Sequence, residues 1–248
     1  MIEEQENKEM QNFEYILALV GDTQVGKTSL FKAAVKGNFP QKPVSTTSIN
    51  KATLFYHDEL NGKLIDKYLL DTAGQERWLS IIPQYVKNTD GALILYDVKD
   101  KTSFEHVDNW IKFLKDNIQD QETYTIFLMG TKTDLLNEGK DKKVGTEDAK
   151  SKCKSSGLIW AGEISSKNST QKELKEKFKE LFDIIINNRK NKKEKEKKQV
   201  EVEFDLKENS KKKAQRKKIK NVVIVSNRII KKIKKIYLIE LLNSISYD

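Results

Sequence analysis

One cysteine, Cys153, in 248 residues excludes an internal disulfide. With two histidines, His57 and His106, there is no Cys/His cluster of the kind that binds structural zinc, and little room for histidine chemistry. Three prolines exclude a proline-rich scaffold. No uncharged apolar run approaches the roughly 20 residues needed to cross a bilayer. The start, Met1 to Gln11, is polar and mostly acidic, unlike a signal or transit peptide. These absences predict a soluble protein in a reducing, intracellular compartment.

What is plentiful is charge, unevenly spread. The net charge is +9, from 46 Lys and Arg against 37 Asp and Glu. Residues 189–248 carry +12 of it, and the first 188 residues carry −3. The basic excess belongs to a tail, so the body gives no ground for nucleic-acid binding. Nearly all of it is lysine; the arginines are Arg77, Arg189, Arg216 and Arg228. Hydrated lysine suits diffuse attraction better than bidentate base reading, and no nucleic-acid partner is expected.

The body alternates strands and helices. Phe13–Val20 is a short apolar run closed by Gly21, and a helix is predicted over Lys27–Lys36. Thr53–Tyr56 and Leu64–Leu70 flank Asn61-Gly62, a hairpin signal. Ala92–Tyr96 is a strand. Thr102 and Glu105 form a capping pattern for a helix with Phe104, Val107, Trp110, Ile111, Leu114 and Ile118 on one face. Tyr124–Met129 and Leu158–Ile164 are further strands, with a helix from Thr146 to Gly157 between them. Thr170 and Glu173 cap a last helix bearing Leu174, Phe178, Leu181, Phe182 and Ile185. This order predicts an α/β doubly wound sheet, mostly parallel with one antiparallel hairpin. Such sheets bind ligands at the carboxyl ends of their strands.

After the first strand comes Gly21-Asp22-Thr23-Gln24-Val25-Gly26-Lys27-Thr28-Ser29, which contains the phosphate-loop pattern GxxxxGK[ST]. In such a loop, backbone N–H groups at a helix N-terminus wrap a phosphate. Lys27 can reach the β- and γ-phosphates, and the Thr28 hydroxyl can ligate Mg²⁺. After the hairpin comes Asp71-Thr72-Ala73-Gly74-Gln75-Glu76-Arg77. This stretch resembles the second switch of Ras-superfamily small GTPases, most closely the Rab branch. The resemblance implies a P-loop NTPase fold, a small G domain with a six-stranded, mostly parallel sheet flanked by helices. It also implies that Asp71 holds Mg²⁺ through water, that the Gly74 N–H meets the γ-phosphate, and that Gln75 orients the attacking water.

The same resemblance extends to the base. Thr131-Lys132-Thr133-Asp134 looks like the guanine-reading NKxD element, with Thr131 in place of the usual Asn. A carboxylate at Asp134 can accept from both the N1–H and the N2 amino group of guanine, a donor pair that adenine lacks; Lys132 would pack along the base. Glu163-Ile164-Ser165-Ser166-Lys167 resembles the ETSAK element, placing the Ser166 N–H on guanine O6 and Lys167 over the ring. Phe39 stands where the family has an aromatic edge-on to the base. In the first switch, spacing favours Thr46 as the Mg²⁺ and γ-phosphate ligand, with Thr47 in reserve. The following Thr47-Ser48-Ile49-Asn50-Lys51 is not Rab-like, and the hairpin is about two residues longer than usual. Pro83, Tyr85 and Gly91-Ala92-Leu93-Ile94-Leu95-Tyr96-Asp97-Val98 add further Rab-like matches.

Residues 13–188 are thus expected to form a G domain between a polar extension, 1–12, and a flexible lysine-rich tail, 189–248. The expected activity is that of a monomeric switch binding GTP or GDP with Mg²⁺, serving vesicle and membrane traffic. Exchange factors, activating proteins and effectors would be its partners. Thr23 and Gln24 stand where the family has smaller residues, which predicts slow hydrolysis. The alternative is a non-hydrolysing nucleotide-binding adaptor of the same fold. Within the tail, Arg189–Lys198 reads as a solvated linker. Ile229–Leu242 with Lys231, Lys232, Lys234 and Lys235 is either a basic amphipathic helix for an anionic membrane surface or a disordered extension. Ser246-Tyr247-Asp248 lacks the prenylated cysteine typical of the Rab branch. The expected location is therefore the cytoplasm or the cytosolic face of internal membranes.

Overall fold

Alternating side-chain directions give each central strand two apolar faces, and helices cover both. In the computed structural model the described residues are 13–40, 46, 48–60, 63–72, 82–136 and 142–245. The extension 1–12, the Asn61-Gly62 turn, Thr47, Gly74 and Gln75 lie outside them. The strands are β1 (Phe13–Val20), β2 (Asn50–Leu60), β3 (Lys63–Asp71), β4 (Gly91–Asp97), β5 (Thr125–Thr131) and β6 (Ile159–Glu163). The helices are α1 (Lys27–Lys36), α2 (Ile82–Val86), α3 (Lys101–Glu105), α4 (Val107–Asn117), α5 (Thr146–Ser156) and α6 (Gln171–Ile245). The sheet order is β2-β3-β1-β4-β5-β6, antiparallel between β2 and β3 and parallel elsewhere. This is the six-stranded α/β sheet that the sequence predicts.

Leu17, Leu19, Leu93, Leu95, Phe127 and Met129 pack on one face under α1 and the first turns of α6, including Phe178, Leu181 and Phe182. Ala18, Val20, Ile94, Tyr96 and Leu128 pack on the other under Ile82, Trp110, Ile111, Leu114 and Cys153. Both layers exclude water, and each fully buried Leu or Phe contributes roughly 1.5–3 kcal/mol of transfer free energy. Burial also raises the Cys153 thiol to about 11, leaving almost no thiolate at neutral pH.

Three local details differ from the sequence reading. The cap of α3 is Asp100, whose carboxylate accepts from Thr102 N, rather than Thr102 itself. Ser103 is instead drawn into the β4 exit, where its hydroxyl accepts from Asp97 N. By contrast the Thr170–Glu173 box forms as expected: Thr170 N donates to Glu173 Oε2 at 2.7 Å and Glu173 N donates to Thr170 Oγ1 at 3.2 Å. Second, the β2–β3 register shifts between Thr53 and Phe55 and again between Phe55 and Asp58, so β2 takes in two residues more than β3. Third, α6 does not end near residue 188 but continues through the expected linker to Ile245. No glycine or proline follows Gly162, and lysine and glutamate are good helix formers. The chain divides into two units, Met1–Lys192 and Lys193–Asp248.

Candidate functional site

The carboxyl ends of β1, β3 and β5 and the turn after β6 carry the residues singled out above. Gly21 leaves β1 at φ 137, and a Cβ there would be driven into the Leu95 carbonyl oxygen of β4. Gly26 then turns the chain into α1 at φ 102, a conformation that disfavours a side chain. Between them Gln24 adopts φ 64, left-handed for a non-glycine residue. The loop ends on Lys27, only 5% exposed, whose Nζ donates to the Gly21 carbonyl at 2.9 Å and the Asp22 carbonyl at 2.6 Å. Burial lowers the Lys27 ammonium to about 8, opposed by the charges of Asp71 and Asp22.

A cavity of about 460 Å³ opens beside this loop. Thr23, Gln24, Gly26, Lys27, Thr28 and Ser29 line it from the loop and α1. Phe39 and Thr46 come from the segment after α1. Thr131, Lys132, Asp134, Ser166 and Lys167 come from the far side of the sheet. Thirteen of the sixteen lining residues were singled out from sequence; Lys32, Pro40 and Leu135 were not. Pro40 and Leu135 adjoin recognised residues, and Lys32 lies one helical turn after Thr28, so spacing could have found it. The Thr46 hydroxyl hydrogen-bonds to that of Thr28, while Thr47 lies outside the described residues.

Asp71, at the end of β3, is fully buried, and neither carboxylate oxygen has a hydrogen-bond partner of good geometry. Burial raises its pKa to about 6; Thr28, then Lys27, Asn50 and Lys32, pull the other way. A buried carboxylate without partners is costly and calls for a counter-charge. With two hydroxyls and an ammonium close by, the donor set fits a hard divalent cation with phosphate oxygens, Mg²⁺ in particular. Thr72, the next residue, donates its hydroxyl to the Leu19 carbonyl at 2.7 Å and so ties β3 to β1.

At the other end, Asp134 accepts from the Ser165 hydroxyl at 2.6 Å. Ser165 itself lies behind the cavity wall, where its oxygen also accepts from Lys167 N and Asn168 N. Lys132 has φ 62, pairs with Asp97 at 2.7 Å and lines the cavity. Thr131 is within hydrogen-bond reach of the Val25 and Tyr96 carbonyls, at 2.5 and 2.9 Å. Its hydroxyl therefore joins the loop after β1 to the end of β4. Gly21, Asp22 and Val25 do not line the cavity. Val25 is buried in the core, and the Asp22 carboxylate accepts from Trp110 Nε1 at 2.8 Å and meets His106 Nδ1 at 2.6 Å. Trp110, read as core alone, is thus also a clamp on the loop.

The Ras family model matches residues 16–187. Among curated proteins, the chain is 34% identical over 152 residues to the Ras-related protein RABA2a of Arabidopsis thaliana, covering 60% of this chain and 67% of that one. It is 31% identical over 201 residues to the GTP-binding protein YPT52 of Saccharomyces cerevisiae, covering 72% and 84%. To the Ras-related protein Rab11B of Nicotiana tabacum it is 34% identical over 141 residues, covering 56% and 62%.

Proposed function

The chain belongs to the Ras family as a Rab-like small GTPase, and from that premise we propose that it binds GTP and GDP with Mg²⁺ and hydrolyses GTP slowly. The observation that carries this reading is the single cavity shared by Lys27, Thr28 and Thr46 at one end and Lys132, Asp134 and Lys167 at the other. A lysine and two hydroxyls at one end and a carboxylate at the other suit a phosphate chain joined to a purine. Lys27 neutralises β- and γ-phosphate charge, and loop N–H groups hold the phosphates. Thr28 and Thr46, with Asp71 acting through water, would hold the cation, which when bound would offset charge on the phosphate oxygens. Asp134 selects guanine, the Ser166 N–H meets its O6, Lys167 covers the ring, and Phe39 closes the edge. Gln75 orients the water and Gly74 meets the γ-phosphate. Release of that phosphate frees both switch segments, and effectors read the difference. Mass spectrometry of nucleotide released from the purified protein tests the reading: GDP or GTP is expected, and adenine nucleotide would contradict it.

Slow turnover is attributed to Thr23 and Gln24, which line the cavity and stand where the family has smaller residues. Gln24→Gly should raise single-turnover hydrolysis several-fold, while Gln75→Leu should lower it with binding intact. Rates unmoved by either change would favour the non-hydrolysing adaptor, for which the irregular segment after Thr46 also speaks.

The protein acts as a monomer with exchange factors, activating proteins and effectors, at the cytosolic face of internal membranes in vesicle traffic. Among the described residues no helix is long and apolar enough to cross a membrane. Attraction would come from the lysines of residues 189–248, with Ile229 and Ile230 exposed among them. Each basic residue near an anionic surface contributes about 1 kcal/mol. The full chain should sediment with vesicles containing phosphatidylserine at low salt and not with phosphatidylcholine alone. Equal sedimentation with both would discard the electrostatic anchor.

A further inference from the structure

We infer that Lys32 is a second phosphate-end cation which makes nucleotide binding by this protein unusually independent of magnesium. The inference rests on the guanine-nucleotide reading above. Lys32 follows Thr28 by four residues, so both project from the same face of α1, one turn apart. Both line the cavity, together with Thr46. The Lys32 charge also pulls the Asp71 carboxyl pKa down, more weakly than Thr28 and Lys27 do. Lys32 therefore lines the cavity on the same side as the paired Thr28 and Thr46 hydroxyls.

The other three lysines of the cavity differ from it. Lys27 is held by the Gly21 and Asp22 carbonyls and belongs to the phosphate loop. Lys132 is paired with Asp97, and Lys167 lies beside the Asp134 end through Ser165. Lys32 makes no ion pair or hydrogen bond among the described residues, and it is only half-buried. A four-carbon stem gives its ammonium freedom to meet an anion that enters. A polyphosphate chain brings several negative charges to this end, and a divalent cation and Lys32 then compete to offset them. The lysine supplies part of the neutralisation when the cation is scarce, and repels the cation when it is present. Both effects flatten the dependence of nucleotide affinity on magnesium.

The test uses the full-length protein and a fluorescent, non-hydrolysable GTP analogue. Dissociation constants are measured with millimolar MgCl₂ and with excess EDTA, and their ratio is compared among the parent, Lys32→Met and Lys32→Arg. Loss of one charge-assisted contact, about 1.5–3 kcal/mol, corresponds to roughly ten-fold or more. Lys32→Met should widen the EDTA-to-magnesium ratio by about ten-fold, chiefly by weakening binding in EDTA, while Lys32→Arg keeps the parent ratio. An unchanged ratio in Lys32→Met, with the analogue still bound, would overturn the role of Lys32 alone. Failure of the parent to bind the analogue in either buffer would overturn it together with the reading beneath it.

Discussion

Lys27→Ala is expected to weaken GTP and GDP binding at least a hundred-fold. Hydrogen bonds to charged groups contribute about 1.5–3 kcal/mol each, and Lys27 can serve two phosphates. The nucleotide-free fold should tolerate the change. Burial holds the ammonium at about 8, below its unfolded value, so its charge opposes folding at pH below 8, and that cost fades as pH rises toward 10.5. Alanine removes the cost along with the bonds to the Gly21 and Asp22 carbonyls. The two losses oppose one another, and the thermal midpoint should stay within about 5 °C. Fluorescence titration with a guanine nucleotide, beside a melting curve, checks both halves. Full affinity in a folded Lys27→Ala protein would remove the phosphate-loop assignment.

Asp134→Asn should abolish the preference for guanine. The carboxylate accepts twice from guanine, whereas the amide turns a donor toward a donor. Sites built to hydrogen-bond one ligand reject analogues that cannot reply by factors of about 10⁴–10⁵. GTP affinity should therefore fall by about a hundred-fold or more, while ATP remains at its weak baseline and the ratio collapses. The Ser165 hydroxyl, 2.6 Å from Asp134, sets the orientation of the carboxylate. Ser165→Ala should lower GTP affinity by a smaller factor in the same direction. Competition titrations with GTP and ATP provide the readout, and an unaltered GTP-to-ATP ratio in Asp134→Asn would place base selection elsewhere.

β1, β4 and β5 were legible because each is a short apolar run bounded by a glycine or a polar turn; β2, Asn50–Leu60, outruns the expected Thr53–Tyr56 because its ends carry charged and polar residues. β1 ends at Gly21 and β4 begins at Gly91, and backbone closeness requires glycine at both. Helix starts were legible less evenly. Thr170 and Glu173 close a box using only each other, so the local pattern suffices. Thr102 and Glu105 spell the same pattern, yet Asp100 takes the cap. The extension of α6 to Ile245 shows no apolar periodicity in residues 189–198; helix propensity and the lack of glycine and proline favour it instead.

By itself, the sequence determined which chemical groups stand at the carboxyl ends of the strands, and hence the family. Those groups come in runs of four to nine neighbours, and a run keeps its chemistry wherever the chain goes. Tertiary structure alone decided how runs 18 to 106 residues apart meet: Thr131 on the Val25 carbonyl, Trp110 and His106 on Asp22, and Thr46 on Thr28, with Lys32 placed in the same cavity. These contacts are fixed by the order and register of the parallel strands, which layer burial selects across the whole chain and which no local pattern encodes.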